Sequence, residues 1–72
     1  MRMVTVSFSD AAENKNFEIG VPHDAAFHTC WYLEKGGAKR VRAHDMGLQL
    51  DMSNNTWVPA QWLVDFYTKK VD

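Results

Sequence analysis

Cross-linking capacity is nearly missing from this chain: Cys30 is the single cysteine in 72 residues. One cysteine excludes an intramolecular disulfide and fits a reducing compartment. Long hydrophobic runs are missing too. No apolar segment approaches the roughly 20 residues that span a bilayer. The opening Met1-Arg2-Met3-Val4-Thr5-Val6-Ser7-Phe8 lacks the extended apolar stretch of a secretory signal. Nor is there an excess of charge of one sign. Eight Lys/Arg against nine Asp/Glu leave a net charge of −1, so no global field draws the protein to nucleic acid or to a membrane. Repeats, linkers and low-complexity tracts are absent. The expectation is one compact domain over residues 1–72, soluble and cytoplasmic, with no membrane contact.

Apolar bulk is what the chain does have, at 46% hydrophobic residues with three tryptophans. A domain this small buries only roughly 60% of the surface its unfolded chain exposes. With no disulfide to help, dense packing or association with another chain must supply its stability.

The hydrophobic pattern predicts an α+β domain. Val4, Val6 and Phe8 alternate with Met3, Thr5 and Ser7, and Phe17, Ile19 and Val21 alternate with Glu18 and Gly20. Both have the period of a half-buried strand, and together they suggest an antiparallel hairpin with a long loop. Pro22 stops the second strand, and Asp24 is placed to cap a helix over about 25–35. Along that helix Ala26, Phe27, Cys30, Trp31 and Leu33 gather on one side. Gly36 is the expected left-handed stop, with Lys35 favourable at the negative end of the helix dipole. Lys39-Arg40-Val41-Arg42-Ala43 reads as a third strand, His44-Asp45-Met46-Gly47 as a turn, and Leu48 to Met52 as a fourth strand. Ser53-Asn54-Asn55 is turn chemistry, and Thr56-Trp57-Val58 is short enough only to pair back briefly. The segment after Pro59 has two readings: a helix over about 59–69 with Pro59 in its first turn, which the 3.6-residue period favours, or a strand in which Val64 and Phe66 alternate with Asp65 and Tyr67. The order is β-β-α-β-β-α, an antiparallel sheet packed against two helices.

Trp57-Val58-Pro59-Ala60-Gln61-Trp62-Leu63 resembles the closing element of SH3-type barrels: a strand, a proline, a single 3-10 turn with an aromatic, and a last strand. The resemblance covers residues 57–63. It implies, as an alternative fold, a small SH3-like β-barrel with an inserted helix. It carries no binding residues with it.

Catalytic and metal chemistry find little support in the residue pattern. His23, His28, Cys30, His44 and Asp45 are the candidate metal ligands, but on a helix His28 lies about 160° around from Cys30, so the two do not converge. Cys30 has apolar neighbours on its side of the helix, an unfavourable setting for a reactive thiolate. No two carboxylates pair in an apolar environment, and Lys35-Gly36-Gly37 lacks the spacing of a phosphate loop. The reading is a non-enzyme with no catalytic residue, metal or cofactor.

Two features point to partners. Four of the nine aromatic residues fall between Trp57 and Tyr67. An inward set of Val4, Val6, Phe8, Phe17, Ile19, Val21, Phe27, Trp31, Leu33, Val41, Leu48, Leu50 and Met52 already fills a two-layer core. Leu63 and Phe66 are expected to join it, leaving Trp57 and Trp62 over. Trp and Tyr beside Arg are the usual make-up of a binding hot spot. The expected docking residues are therefore Trp57, Trp62, Tyr67, Arg40 and Arg42, on a small regulator or inhibitor that docks on a larger host protein or enzyme. Inhibitors of the phage or mobile-element type have this format. The other feature is basic. Lys35, Lys39, Arg40 and Arg42 hold half of the Lys/Arg within eight residues, and Arg40, Arg42 and His44 project from one face of a strand. The alternative function is thus a small nucleic-acid-binding protein that contacts phosphates through this stripe. A homodimer that buries the aromatic surplus is a third arrangement.

Overall fold

The computed structural model describes residues 1–69. It has the α+β architecture that the pattern predicts, with one strand more. In chain order the elements are β1 (Met3–Ser9), β2 (Asn16–Pro22), a 3-10 turn (His23–Ala25), α1 (Ala26–Lys35), β3 (Lys39–Asp45), β4 (Leu48–Asp51), β5 (Thr56–Pro59) and α2 (Gln61–Lys69). The strands form one antiparallel sheet in the order β2-β1-β3-β4-β5. β2 and β5 are its two edges, so the sheet is not closed into an SH3-like barrel.

The β1–β2 hairpin pairs without a break from Met3↔Pro22 to Ser9↔Asn16. Its loop is organised by Asp10, whose carboxylate accepts the Asn14 amide at 2.7 Å while its own N–H donates to the Lys15 carbonyl at 3.1 Å. Between β1 and β3 the register shifts between Ser7 and Ser9, and there Arg40 takes φ 54°. Ser9 is buried at this irregularity, and its hydroxyl donates to the Lys39 carbonyl at 3.2 Å. β3 continues through Asp45, so the expected four-residue turn shrinks to Met46-Gly47, with Met46 at φ 59°. Asp45 is carried inward by this extension and is held by Arg2 at 2.8 Å. β4 stops at Asp51, leaving Met52 in the turn. The Asp51 carboxylate accepts the Ser53 amide and the Asn54 side-chain amide, and Asn55 takes φ 52° before β5 begins.

The two ends of α1 depart from expectation. Asp24 does not cap it. The 3-10 turn intervenes, Ala25 holds the N-cap position without a side-chain bond, and the Asp24 carboxylate lies outside beside His23. A proline-ended strand followed at once by a tight turn leaves no residue free to cap with its side chain. At the other end Gly36 stays right-handed at φ −79°, and Gly37 is the left-handed residue at φ 99°. Ala38 N–H donates to the Leu33 carbonyl and Gly37 N–H to the Glu34 carbonyl, the two bonds of a Schellman motif.

α1 lies on one face of the sheet. The core is Val4, Val6, Val21, Ala26, Cys30, Ala43 and Leu50, with Phe8, Phe27, Leu33, Val41, Met52 and Trp57 packed around it. Phe17, Ile19, Trp31 and Leu48 belonged to the expected inward set but are exposed by 36% or more. α2 does not cover the sheet as a second helix would. Only Ala60 is buried near it: the Ala60 amide donates to the Gly47 carbonyl at 2.9 Å, and Leu63 is half-buried against Gly47. Phe66, expected in the core, is 52% exposed. The radius of gyration, 13.3 Å, exceeds the roughly 11 Å of a compact chain this long.

The helix stop can be tested directly. Gly37→Ala is expected to cost about 1 kcal/mol in urea unfolding, because an L side chain is strained at positive φ. Gly36→Ala should change stability by clearly less. Equal costs would mean that the left-handed residue is misplaced.

Candidate functional site

Three surfaces carry the residues singled out by the sequence. The first is α2. Its apolar residues Trp62, Leu63, Phe66 and Tyr67 fall on one side at helical spacing, and Gln61, Asp65, Thr68 and Lys69 on the other. The polar side is tied together, with Gln61 Nε2 donating to Asp65 Oδ1 at 2.9 Å and the Thr68 hydroxyl to the Val64 carbonyl at 2.8 Å. Apart from the half-buried Leu63 the apolar side faces solvent: Trp62 and Tyr67 are each 62% exposed and Phe66 52%. The Phe66 and Tyr67 rings meet edge to face at 5.7 Å.

Trp57 belongs to a different environment. It sits on β5 facing the helix layer, packs against the core, and stacks on His23 with ring centroids 4.9 Å apart and an interplanar angle of 24°. Expected among the leftover residues, it has most of its surface inside the domain. The signal for this was the alternation of Trp57 with Val58, which puts the tryptophan on the same face as Leu50 across the β4–β5 pair.

The second surface is the bare face of the sheet. Ser7 pairs with Arg42 and Thr5 with His44, so these four side chains share the face opposite α1. Ser7 Oγ and His44 Nε2 lie 3.3 Å apart. Together with Glu18, Arg40 and Arg42 they line a shallow groove of about 760 Å³. Arg40 is partly neutralised, its Nε donating to Glu13 Oε1 at 3.1 Å. Lys35 is elsewhere, on the last turn of α1, with its Nζ 4.3 Å over the Trp31 ring. Lys35 is thus separated from Arg40 and Arg42, which share the groove with His44. Besides lining the groove, Arg42 faces a second recess that it shares with Gln61 and Val58 at the foot of α2.

The third surface was not expected. Phe17 and Ile19, on the helix side of β2, are 42% and 39% exposed, and Phe17 stacks on Phe8 at 5.3 Å. Sequence alternation correctly gave their face but could not give the width of the helix above it.

No group of three or more His, Cys, Asp or Glu suited to a metal ion occurs among the described residues. Cys30 is fully buried, and burial, with the Glu34 carboxylate adding to it, raises its pKa. The thiol is therefore kept protonated at neutral pH, which disfavours thiolate chemistry. No described helix is long and apolar enough to cross a membrane. Comparison of the chain with protein-family models, with curated proteins and with solved structures finds no match.

The buried thiol generates a pH prediction. An unfolded cysteine loses its proton near pH 8.5, whereas the folded one holds it to higher pH. Above the unfolded value the unfolded state binds fewer protons, so stability falls as pH rises through the folded pKa. Urea midpoints measured from pH 7 to 10 should show this decline, and a Cys30→Ala variant should lack its cysteine component. Identical pH profiles for the two proteins would contradict it.

Proposed function

We propose that this protein is a non-enzymatic binding module that docks on a larger protein by laying the apolar side of α2 into a groove. The observation that carries this reading is the exposure of Trp62 and Tyr67 on an amphipathic helix whose described attachment to the sheet lies at its start, near Ala60 and Leu63. Isolated helices shorter than about 12–15 residues are marginal in water. A helix with nine described residues and with Trp62 and Tyr67 in solvent therefore has most to gain from a partner that covers it. Trp62 with Phe66, and Leu63 with Tyr67, have the i, i+4 anchor spacing of helix-in-groove recognition.

Arg42 adds a polar contact at the rim, since it lies beside Gln61 at the start of α2. Arg40 contributes less because Glu13 already engages it. A protein of this kind would act as a small regulator or inhibitor, blocking or redirecting the protein it docks on. The nucleic-acid reading is weakened by the separation of Lys35 from Arg42, which removes the continuous phosphate-tracking stripe it needs.

Affinity capture from a lysate of the source cells, followed by mass spectrometry, tests the reading. A near-stoichiometric protein partner is expected, with Trp62→Ala weakening its binding by at least roughly 30-fold, as for hot-spot truncation. Because Trp62 is mostly exposed, the same variant should melt within a few degrees of the parent. Capture unaffected by Trp62→Ala would sink the proposal. So would nucleic acid that binds with steep salt dependence and is lost on changing Arg40 and Arg42 to Glu.

A further inference from the structure

We infer that the outer edge of β2 is a self-association surface, pairing antiparallel with the β2 edge of a second copy to extend the sheet across both chains. This rests on backbone geometry and is independent of α2. β2 is seven residues long, runs beside β1 without a bulge, and among the described residues pairs with β1 alone. Natural sheets usually blunt such an edge with lysine, a mid-strand proline, a bulge or a covering element. Residues 16–21 have none of these among the described residues, and their one charge is Glu18. The opposite edge, β5, has only four residues and ends in Pro59.

The hydrogen-bond alternation says which groups point outward. His23 N–H donates to the Arg2 carbonyl at one end of the hairpin, and Asp10 N–H to the Lys15 carbonyl at the other. Both pairs continue the β1–β2 register, and bonded pairs alternate along an antiparallel ladder. The bonded pairs within the hairpin are therefore Val4/Val21, Val6/Ile19 and Phe8/Phe17. Asn16, Glu18 and Gly20 turn their N–H and carbonyl groups away from β1. Pro22 has the same parity, so its missing N–H costs the hairpin nothing and leaves one outward carbonyl.

Two symmetric registers use these outward groups over most of the strand. One centres on Glu18 and sets two like charges opposite each other. The other centres on Ile19. There Glu18 exchanges bonds with the second copy's Gly20, Asn16 N–H donates to the second copy's Pro22 carbonyl, and the two Ile19 side chains meet in a non-bonded pair, where side chains come closest. Phe17 then lies against the second copy's Val21. This register separates the charges and covers the exposed surface of Phe17 and Ile19, so it is the one assigned. A strand edge of this length is smaller than the roughly 800 Å² per partner of a standard interface. The dimer should accordingly form over the micromolar-to-millimolar range.

Sedimentation equilibrium and amide hydrogen exchange on the unmodified chain test the inference together. The average mass should rise from one chain toward two with concentration. Over the same range the amides of Glu18 and Gly20 should gain protection, while those of Phe17 and Ile19, already bonded to β1, stay unchanged. Ile19→Lys should abolish the rise, and Trp62→Ala should leave it intact. Should Ile19→Lys fail to fold, the amide pattern of the parent still decides. In a Cys30→Ala background, Ile19→Cys should cross-link two chains far more readily than Glu18→Cys. A monomer at every concentration would overturn the inference, as would Glu18 and Gly20 amides indifferent to concentration. Association lost in Trp62→Ala but kept in Ile19→Lys would assign self-association to α2 and overturn it as well.

Discussion

The contact on which the rest of the structure depends is the close approach of α1 to the middle of the sheet, and it is made by small side chains. Ala26 and Cys30 on the helix meet Val6 and Ala43 on β1 and β3, all nearly inaccessible. The largest fully buried side chains are Val6, Cys30 and Ser9. Dispersion contacts are lost steeply when a gap opens, so a helix seated this closely leaves no space beneath it for a ring. The nine aromatic residues are consequently displaced to the margins: none is fully buried, and six are exposed by 42% or more. Phe8, Phe27 and Trp57 seal the rim of the core, while Phe17, Trp31, Tyr32, Trp62, Phe66 and Tyr67 reach the surface.

Much of the local structure was legible because it depends on local periodicity. The alternation in β1 and β2, the helical stripe of α1 and the turn residues at 53–55 each reflect a backbone preference that few long-range contacts override. The burial of individual side chains was not legible, because it depends on how far α1 extends over the sheet and where α2 is attached. The expectation of two covering helices fails at one point. Only Ala60 separates β5 from α2, and the Ala60–Gly47 bond fixes that residue to the β3–β4 turn. A helix that returns across a sheet face needs a longer connection. Once α2 is directed away, Phe66 loses its place in the core and Trp57 gains one. Asp24 failed as a cap for a similar reason: residue type was right, but the preceding strand ends one turn too close.

A net charge near zero sharpens the consequence of this arrangement. Exposed apolar groups are tolerated in monomers when repulsion keeps copies apart; a charge of −1 gives little repulsion. Whether such surface becomes a specific interface or an aggregation hazard then depends on features that select one geometry. On β2 the selecting features are Glu18, which disfavours the register placing it opposite itself, and Pro22, which ends the donor series. On α2 they are the polar side joined by Gln61 and Asp65 and the position of Arg42 at its foot.

The two surfaces do not compete for space. β2 is one edge of the sheet, and α2 leaves from the opposite edge beside the β3–β4 turn. A partner on α2 would bind the folded domain and not the unfolded chain, so it stabilises the fold in proportion to its concentration over its dissociation constant. For a 72-residue domain without an intramolecular disulfide, whose stability is marginal, any such contribution matters. Placing the large aromatics outside thus has one coherent physical sense: the domain withholds part of its hydrophobic stabilisation from its own core, and that part becomes available when another surface covers it.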